Sequence, residues 1–274
     1  MRSARPLSVW ILFFILLNLY TSLTPRFFDQ QQIAFWALYW AGFFLTAYFV
    51  ARFVLKLGGL TSFGMIRHKQ WTLNVLLGFL MGAFVYALKY LVFYKLGRFE
   101  IIKQLSPEYI YGMLSQAFIA MLFSSLINDM MIKGYWLPYF KQRNLMKWFI
   151  PTVTVLYSLD DIWNEGFNAV NILFSAVLGV TLAYTVLKTG SIWMSFGIHW
   201  GGNMVYRALY GFNGTGIWET KTLSENILFD WISIGVTALL FPGAYVLISK
   251  RLTGTAKTPA SKTAVTGPSA ANFE

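Results

Sequence analysis

Three pairs of polar residues, each spaced by about one helical turn, stand in a largely apolar chain. Residues four positions apart share one face of a helix, so each pair can act at a single place. The chemistry open to them is that of titratable groups and amides: ion pairing, proton relay and hydrogen bonding. The pairs are Asp129-x-x-x-Lys133, Tyr157-x-x-x-Asp161 and His199-x-x-x-Asn203.

Each pair also has a purely structural explanation. Asp129 and Lys133 can form an ion pair that lets a bundle helix carry polar groups. Asp161 could belong, with its acidic neighbours, to a solvated loop, and His199 could be satisfied by a neighbouring helix. Ser195 lies four residues before His199 and could pair with it, although a serine in a membrane helix commonly bonds its own backbone.

The composition limits what these groups can be part of. Of 274 residues, 57% are hydrophobic and only 12% are charged, against roughly 25% charged residues in soluble domains. The chain has no cysteine and only two histidines, which excludes a disulfide framework, a cysteine nucleophile and a three-histidine zinc site. The net charge of +11 fits basic residues at a membrane surface, and no nucleic acid partner is expected.

The apolar segments predict an all-α, polytopic membrane helix bundle in contact with the lipid bilayer. A spanning helix needs about 20 predominantly apolar residues, and about eight segments approach this length. They cover approximately residues 7–24, 32–55, 71–94, 109–139, 148–163, 167–187, 191–212 and 227–249.

The charges between these segments predict the orientation of the bundle. With a cytoplasmic N-terminus, the cytoplasmic side receives roughly three times as many basic residues as the other side, as the positive-inside rule expects. Eight spans then place both termini in the cytoplasm. Residues 1–252 are predicted to form one transmembrane domain, and residues 253–274, rich in Thr, Ala, Ser and Pro, a disordered cytoplasmic tail.

The order of the polar pairs resembles the CPBP family of intramembrane endopeptidases, also called Abi or type II CAAX prenyl protease-like proteins. That family carries Glu-Glu-x-x-x-Arg, Phe-x-x-x-His and His-x-x-x-Asn on successive core helices. The third motif is intact as His199-x-x-x-Asn203, and Gly134 after Lys133 fits the first. The resemblance covers roughly residues 70–210.

The first two motifs depart from the family pattern. Asn128 stands in place of the first glutamate, which in the family activates the attacking water, and Asp129 replaces the second. Lys133 replaces arginine, Tyr157 replaces phenylalanine and Asp161 replaces the histidine of the second motif. The neutral amide of Asn128 cannot serve as the base, so the catalytic base would have to be Asp129, Asp161 or His199.

The resemblance implies a membrane-embedded endopeptidase that hydrolyses a peptide bond of a membrane-associated substrate. Asp161 and His199 would then activate the water, Asn203 would hold the oxyanion, and Asp129 with Lys133 would fix the fourth helix. No metal or other cofactor is expected, since a zinc site would have only His199 and carboxylates as ligands. The implied location is a bacterial plasma membrane.

Two other functions stay open. The departures, above all at Asn128, also suit a catalytically inactive pseudoprotease that binds and regulates a membrane or cell-envelope partner. A transporter or proton relay could use Asp129, Asp161 and His199 as titratable stations. The sequence contains neither inverted repeats nor paired broken helices, which argues against a transporter.

Overall fold

The computed structural model describes residues 5–27 and 33–255 and shows a bundle of long helices. Helix α1 spans Leu7–Phe27, and α2 spans Ile33–Phe49 and continues through a π-helical turn over Val50–Val54. Helix α4 runs through a second π-helical turn into α5. The remaining helical bounds are α3 Trp71–Lys95, α4 Pro107–Asn128, π turn Asp129–Gly134, α5 Trp136–Gln142, α6 Phe149–Glu165, α7 Ala169–Thr189, α8 Trp193–Tyr210, α9 Leu228–Ala238 and α10 Leu240–Thr255, with short 3₁₀ helices at Gly59–Phe63 and Met146–Trp148.

The predicted all-α membrane bundle is confirmed, and each of the eight predicted segments is helical. Within residues 5–27 and 33–255, six stretches are long and apolar enough to cross a membrane; they include α1, α3 and α7. Helices α6 and α8 are not among the six; α6 has 17 residues, and α8 carries the polar residues of the third motif. The count of eight spans and the cytoplasmic termini therefore stay predictions.

A two-stranded antiparallel ribbon, which the sequence analysis did not predict, links the ends of four helices. Strand β1, Phe99–Gln104, follows α3, and strand β2, Trp218–Thr222, lies between α8 and α9. Its polar, charged residues give no apolar alternation, and each strand gains its hydrogen bonds only from a partner far along the chain. Cross-strand ion pairs join Lys103 to Glu219 at 3.1 Å and Lys221 to Glu100 at 3.8 Å.

Helices α3 and α8 pack closely against each other, because glycines face each other there. A Cβ added at Gly82 would come within 3.0 Å of the carbonyl oxygen of Ile198, and one at Gly201 within 3.0 Å of the carbonyl oxygen of Phe79. Small residues at such a contact let two backbones approach. This packing fixes the position of α8, which carries the His199 motif.

The π-helical turn at the end of α4 positions the first motif. The Tyr135 amide donates to the Met130 carbonyl oxygen at 2.7 Å, five residues back, so the turn is wider than an α-helical one. Asp129 and Lys133 within it are fully buried. Gly134 ends the turn directly against the backbone of Phe63, where a side chain would not fit.

Helix α10 ends at Thr255, so its last residues overlap the start of the predicted tail. The domain boundary at residue 252 and the disordered tail stay predictions. The rest of the predicted tail lies outside the described residues.

Candidate functional site

Asp129 is the centre of a buried polar cluster and accepts from three side chains. Its Oδ1 is 3.0 Å from Nζ of Lys133 and accepts a hydrogen bond from the Ser195 hydroxyl. Its Oδ2 is 2.9 Å from Nδ1 of His199. A carboxylate without solvent exposure needs such donors, since an unpaired buried charge is strongly destabilising. The π turn and α8 thus meet through one carboxylate.

The contact with Asp129 fixes how His199 is protonated when its ring is neutral. A carboxylate only accepts hydrogen bonds, so Nδ1 carries the proton and Nε2 keeps its lone pair. Among the residues that the structure describes, none forms a hydrogen bond with Nε2, and the His199 side chain is 13% exposed. The ring therefore has a basic nitrogen available for a molecule that enters the site.

The ring of Tyr157 on α6 packs between Lys133 and His199. Its ring meets the His199 imidazole edge-on, with 6.0 Å between ring centroids. Nζ of Lys133 lies 4.5 Å from the centre of the same ring, within the range of a cation–π interaction. The Tyr157 ring thus contacts both Lys133 and His199.

Asn128 connects this cluster to a second carboxylate. Its Nδ2 donates to Oδ2 of Asp160 at 2.7 Å, and its Oδ1 accepts from Lys133 at 3.5 Å. Asn18 on α1 donates to the other oxygen of Asp160 at 3.2 Å. Side chains from α1, α4, α6 and α8 therefore form one continuous polar chain from Asn18 to His199.

Asn203 lies one turn after His199 on α8 and forms the next contact with α4. Its Nδ2 donates to the Ser125 hydroxyl at 3.1 Å. Ser125 lies one turn before Asp129, so the two helices are joined by polar contacts on two successive turns. One N–H of the Asn203 amide is used there, and the group has a second N–H.

Asp161 accepts a hydrogen bond from the Ser175 hydroxyl on α7, and among the described residues no hydrogen bond joins Asp161 to His199. That Asp161 and His199 activate a water together stays a prediction. The carboxylate in direct contact with His199 is Asp129, which was expected to fix the fourth helix with Lys133. Consecutive residues of a helix point about 100° apart, so Asp160 faces α1 and α4 while Asp161 faces α7.

Two members of the cluster, Asn18 and Asp160, were not predicted as site residues, and a third, Ser195, has a partner that was not predicted. Asp160 had been considered only as part of a loop, although it stands beside Asp161 in the predicted fifth segment. Asn18 could have been noticed as an amide within the apolar run of the first segment. Ser195 donates to Asp129 and not to His199, so the two side chains share a carboxylate and do not form a nucleophile–base pair.

The described residues contain no group of three His, Asp or Glu side chains that could hold a metal ion. Asp129 and His199 would supply only two ligands, and Asp129 already accepts from three donors. That the protein works without a metal or cofactor stays a prediction.

Residues 111–205 match the family model described as type II CAAX prenyl endopeptidase Rce1-like. The matched segment runs from α4 to α8 and contains all three motif positions. Neither the curated proteins nor the solved structures include a significant match. The predicted resemblance is thereby confirmed: the chain is a multi-pass membrane protein whose site-bearing core is similar to the CAAX proteases.

Proposed function

We propose that this protein is an intramembrane endopeptidase in which His199 activates the attacking water. The observation that carries the proposal is the buried Asp129–His199 pair, which leaves Nε2 of the imidazole without a partner among the described residues. An imidazole that has a carboxylate at one ring nitrogen and a free lone pair on the other can act as a general base.

The reaction that these groups support is hydrolysis of a peptide bond by water. Nε2 of His199 takes a proton as the water oxygen attacks the carbonyl carbon, and Asp129 stabilises the imidazolium that forms. The second N–H of Asn203 donates to the oxyanion of the tetrahedral intermediate. The carbon–nitrogen bond then breaks, and His199 returns the proton to the leaving amine. Lys133 keeps Asp129 ionised throughout.

The substrate that fits this site is a membrane-associated peptide or protein segment. Helices α1 and α4, which contribute to the cluster, are long and apolar enough to span a bilayer, so a substrate has to reach the site from within or beside the membrane. A prenyl group on the substrate is not part of the proposal. Following the family resemblance, we assign the protein to a bacterial plasma membrane.

One observation favours a rival function, that of a pseudoprotease. Asn128 is neutral, stands where the family carries a glutamate, and is held from both sides by Asp160 and Lys133. Such a fixed amide would suit a bundle that binds a membrane or cell-envelope partner without cleaving it. In that case His199 would matter for packing and not for turnover.

Alanine substitution of each of the two histidines distinguishes a peptidase from a pseudoprotease. Purified protein in proteoliposomes is incubated with a detergent extract of membrane proteins, and new N-termini are identified by amine labelling and mass spectrometry. We expect His199→Ala to lose at least 100-fold in cleavage rate. His68→Ala is the matched control, because His68 contacts Ser191 outside the cluster, and it should cleave like the wild type.

Two results would contradict the peptidase. One is cleavage by His199→Ala at the wild-type rate; the other is the absence of any N-terminus that depends on the wild-type protein. A partner retained equally by the wild type and His199→Ala, without cleavage, would support the pseudoprotease.

A further inference from the structure

Asp160 is a carboxylate within the bundle that the proposed reaction does not use. It is only partly buried, whereas Asp129 is fully buried. Ionisable side chains at membrane depth are costly and usually have a function. Of these two carboxylates, Asp160 is the more exposed.

Two amide side chains hold the carboxylate of Asp160 in place. Amide donors from Asn18 on α1 and Asn128 on α4 bind its two oxygens, at 3.2 Å and 2.7 Å. A carboxylate offers about four acceptor positions, so it can bind a water molecule as well as amide donors. Lys133 donates to Asn128, the amide that binds Asp160. Its positive charge favours a second carboxylate nearby.

The helix geometry brings Asp160 to the same side of α6 as the residue that contacts His199. Asp160 follows Tyr157 by three positions, and residues with this spacing are neighbours on a helix face. The Tyr157 ring is packed against the imidazole. Asp160 therefore lies about one helical turn, roughly 5 Å, along α6 from the ring that meets His199.

We propose that Asp160 is the second catalytic carboxylate of this site and orients the attacking water for His199. The role of Asp160 rests on the proposed peptidase function. In this chain the carboxylate that position 128 lacks is supplied from α6, by the residue that binds the Asn128 amide. Two carboxylates and one cation, Lys133, then make up the charge of the cluster.

The step balances without another reactant. One hydrogen of the water is hydrogen-bonded to a carboxylate oxygen of Asp160, and the other is transferred as a proton to Nε2 of His199. The water oxygen forms a bond to the carbonyl carbon, whose π electrons move to the oxyanion. Asp160 stays ionised and stabilises the imidazolium until His199 protonates the leaving amine.

The test exchanges the carboxylate and the amide between positions 160 and 128. Asp160→Asn keeps the size of the side chain and removes its charge, and we expect the cleavage rate to fall about 100-fold with little change in KM. The exchanged double variant Asn128→Asp/Asp160→Asn keeps both a carboxylate and an amide in contact and should recover to within about tenfold of the wild type. Asp230→Asn, at an exposed carboxylate, is the matched control.

The readout is kcat and KM for a synthetic peptide that spans a cleavage site found with the wild-type protein, with a pH profile for each variant. Elution as a single peak in detergent checks folding. We expect the acid limb of the pH profile to move in the exchanged variant, since a different carboxylate then ionises; a structural role would not move it.

The outcomes distinguish the two proposals. Full activity of folded Asp160→Asn, while His199→Ala is inactive, would overturn the role of Asp160 and leave the peptidase intact. An exchanged variant that folds and is as inactive as Asp160→Asn would also overturn it. Cleavage that does not depend on His199 would overturn both proposals.

Discussion

Nδ1 of His199 lies 2.9 Å from Oδ2 of Asp129, although 70 positions separate the two residues in the chain. The contact joins α8 to the π-helical turn that follows α4. It holds the imidazole in the tautomer that leaves Nε2 basic, and it satisfies one side of a fully buried carboxylate. The charge state of Asp129 is therefore linked both to the stability of the bundle and to the chemistry of its site.

Asp129→Asn should strongly destabilise the protein. The substitution leaves the fully buried ammonium of Lys133 without its carboxylate, and breaking a buried ion pair from one side costs about 3–5 kcal/mol. The free energy of unfolding, measured by denaturant titration in detergent micelles, tests this. Asp129→Asn/Lys133→Met, which removes both charges, should regain a large part of the loss.

Asp230→Asn serves as the control for charge removal, because its ion pair with Arg98 is long, at 3.9 Å, and exposed. Its stability should change by less than about 1 kcal/mol. Equal stability of Asp129→Asn and the wild type would show that the buried pair contributes nothing.

Gly82→Ala should separate α3 from α8. Its Cβ would come within 3.0 Å of the Ile198 carbonyl oxygen, and backbone cannot move aside as a flexible side chain can. We expect a loss of about 1–3 kcal/mol in unfolding free energy and a lower cleavage rate, because α8 carries His199.

Gly112→Ala is the matched control, because nothing lies within 4 Å of a Cβ added at this position in α4. Alanine is favoured over glycine in a helix by roughly 0.5–1 kcal/mol, so this variant should be as stable as the wild type or slightly more so. Equal effects of the two substitutions would contradict the close packing of α3 on α8.

Tyr157→Phe and Tyr157→Leu test the aromatic ring between Lys133 and His199. Phenylalanine keeps the ring over the ammonium and beside the imidazole, so stability and cleavage should stay near wild type. Leucine removes the cation–π contact, worth about 2 kcal/mol at a desolvated site. Unfolding titrations of both variants, alongside cleavage assays, provide the measurement. A leucine variant as stable as the phenylalanine variant would show that the ring acts only by its bulk.

Asn18→Ala tests whether α1, which lies outside the family match, takes part in the site. Loss of the hydrogen bond to Asp160 should lower the cleavage rate about tenfold, since hydrogen bonds to charged groups contribute about 1.5–3 kcal/mol. Leu19→Ala, at the next and exposed position, should leave the rate unchanged. Equal rates for both variants would place α1 outside the functional site.

The predicted orientation can be tested cleanly because the natural chain contains no cysteine. A single cysteine is introduced as Ser224→Cys, between β2 and α9, or as Ser261→Cys in the C-terminal segment. An impermeant maleimide should label Ser224→Cys in intact cells, and Ser261→Cys only after the cells are permeabilised. The opposite pattern would reverse the orientation inferred from the basic residues.

The amino-acid sequence determined the features that depend on local composition and spacing. Apolar runs of sufficient length predicted the helices, and the spacing of four predicted that Asp129 and Lys133 pair on one helix face, as they do. The pattern around His199 was specific enough to indicate the family. The ribbon of β1 and β2 escaped prediction because each strand is stabilised only by a partner far away in the chain.

Only the tertiary structure determines which side chain each carboxylate contacts. Asp129, Asp160 and Asp161 all stand on predicted helices, and only the rotation and packing of those helices place Asp129 against His199, Asp160 against Asn128 and Asp161 against Ser175. A rotation of about 100° separates the directions of consecutive helical residues, and the sequence of one helix does not state which neighbour it will face. That choice is made where helices meet, by close glycine contacts and by the requirement that every buried charge find a partner.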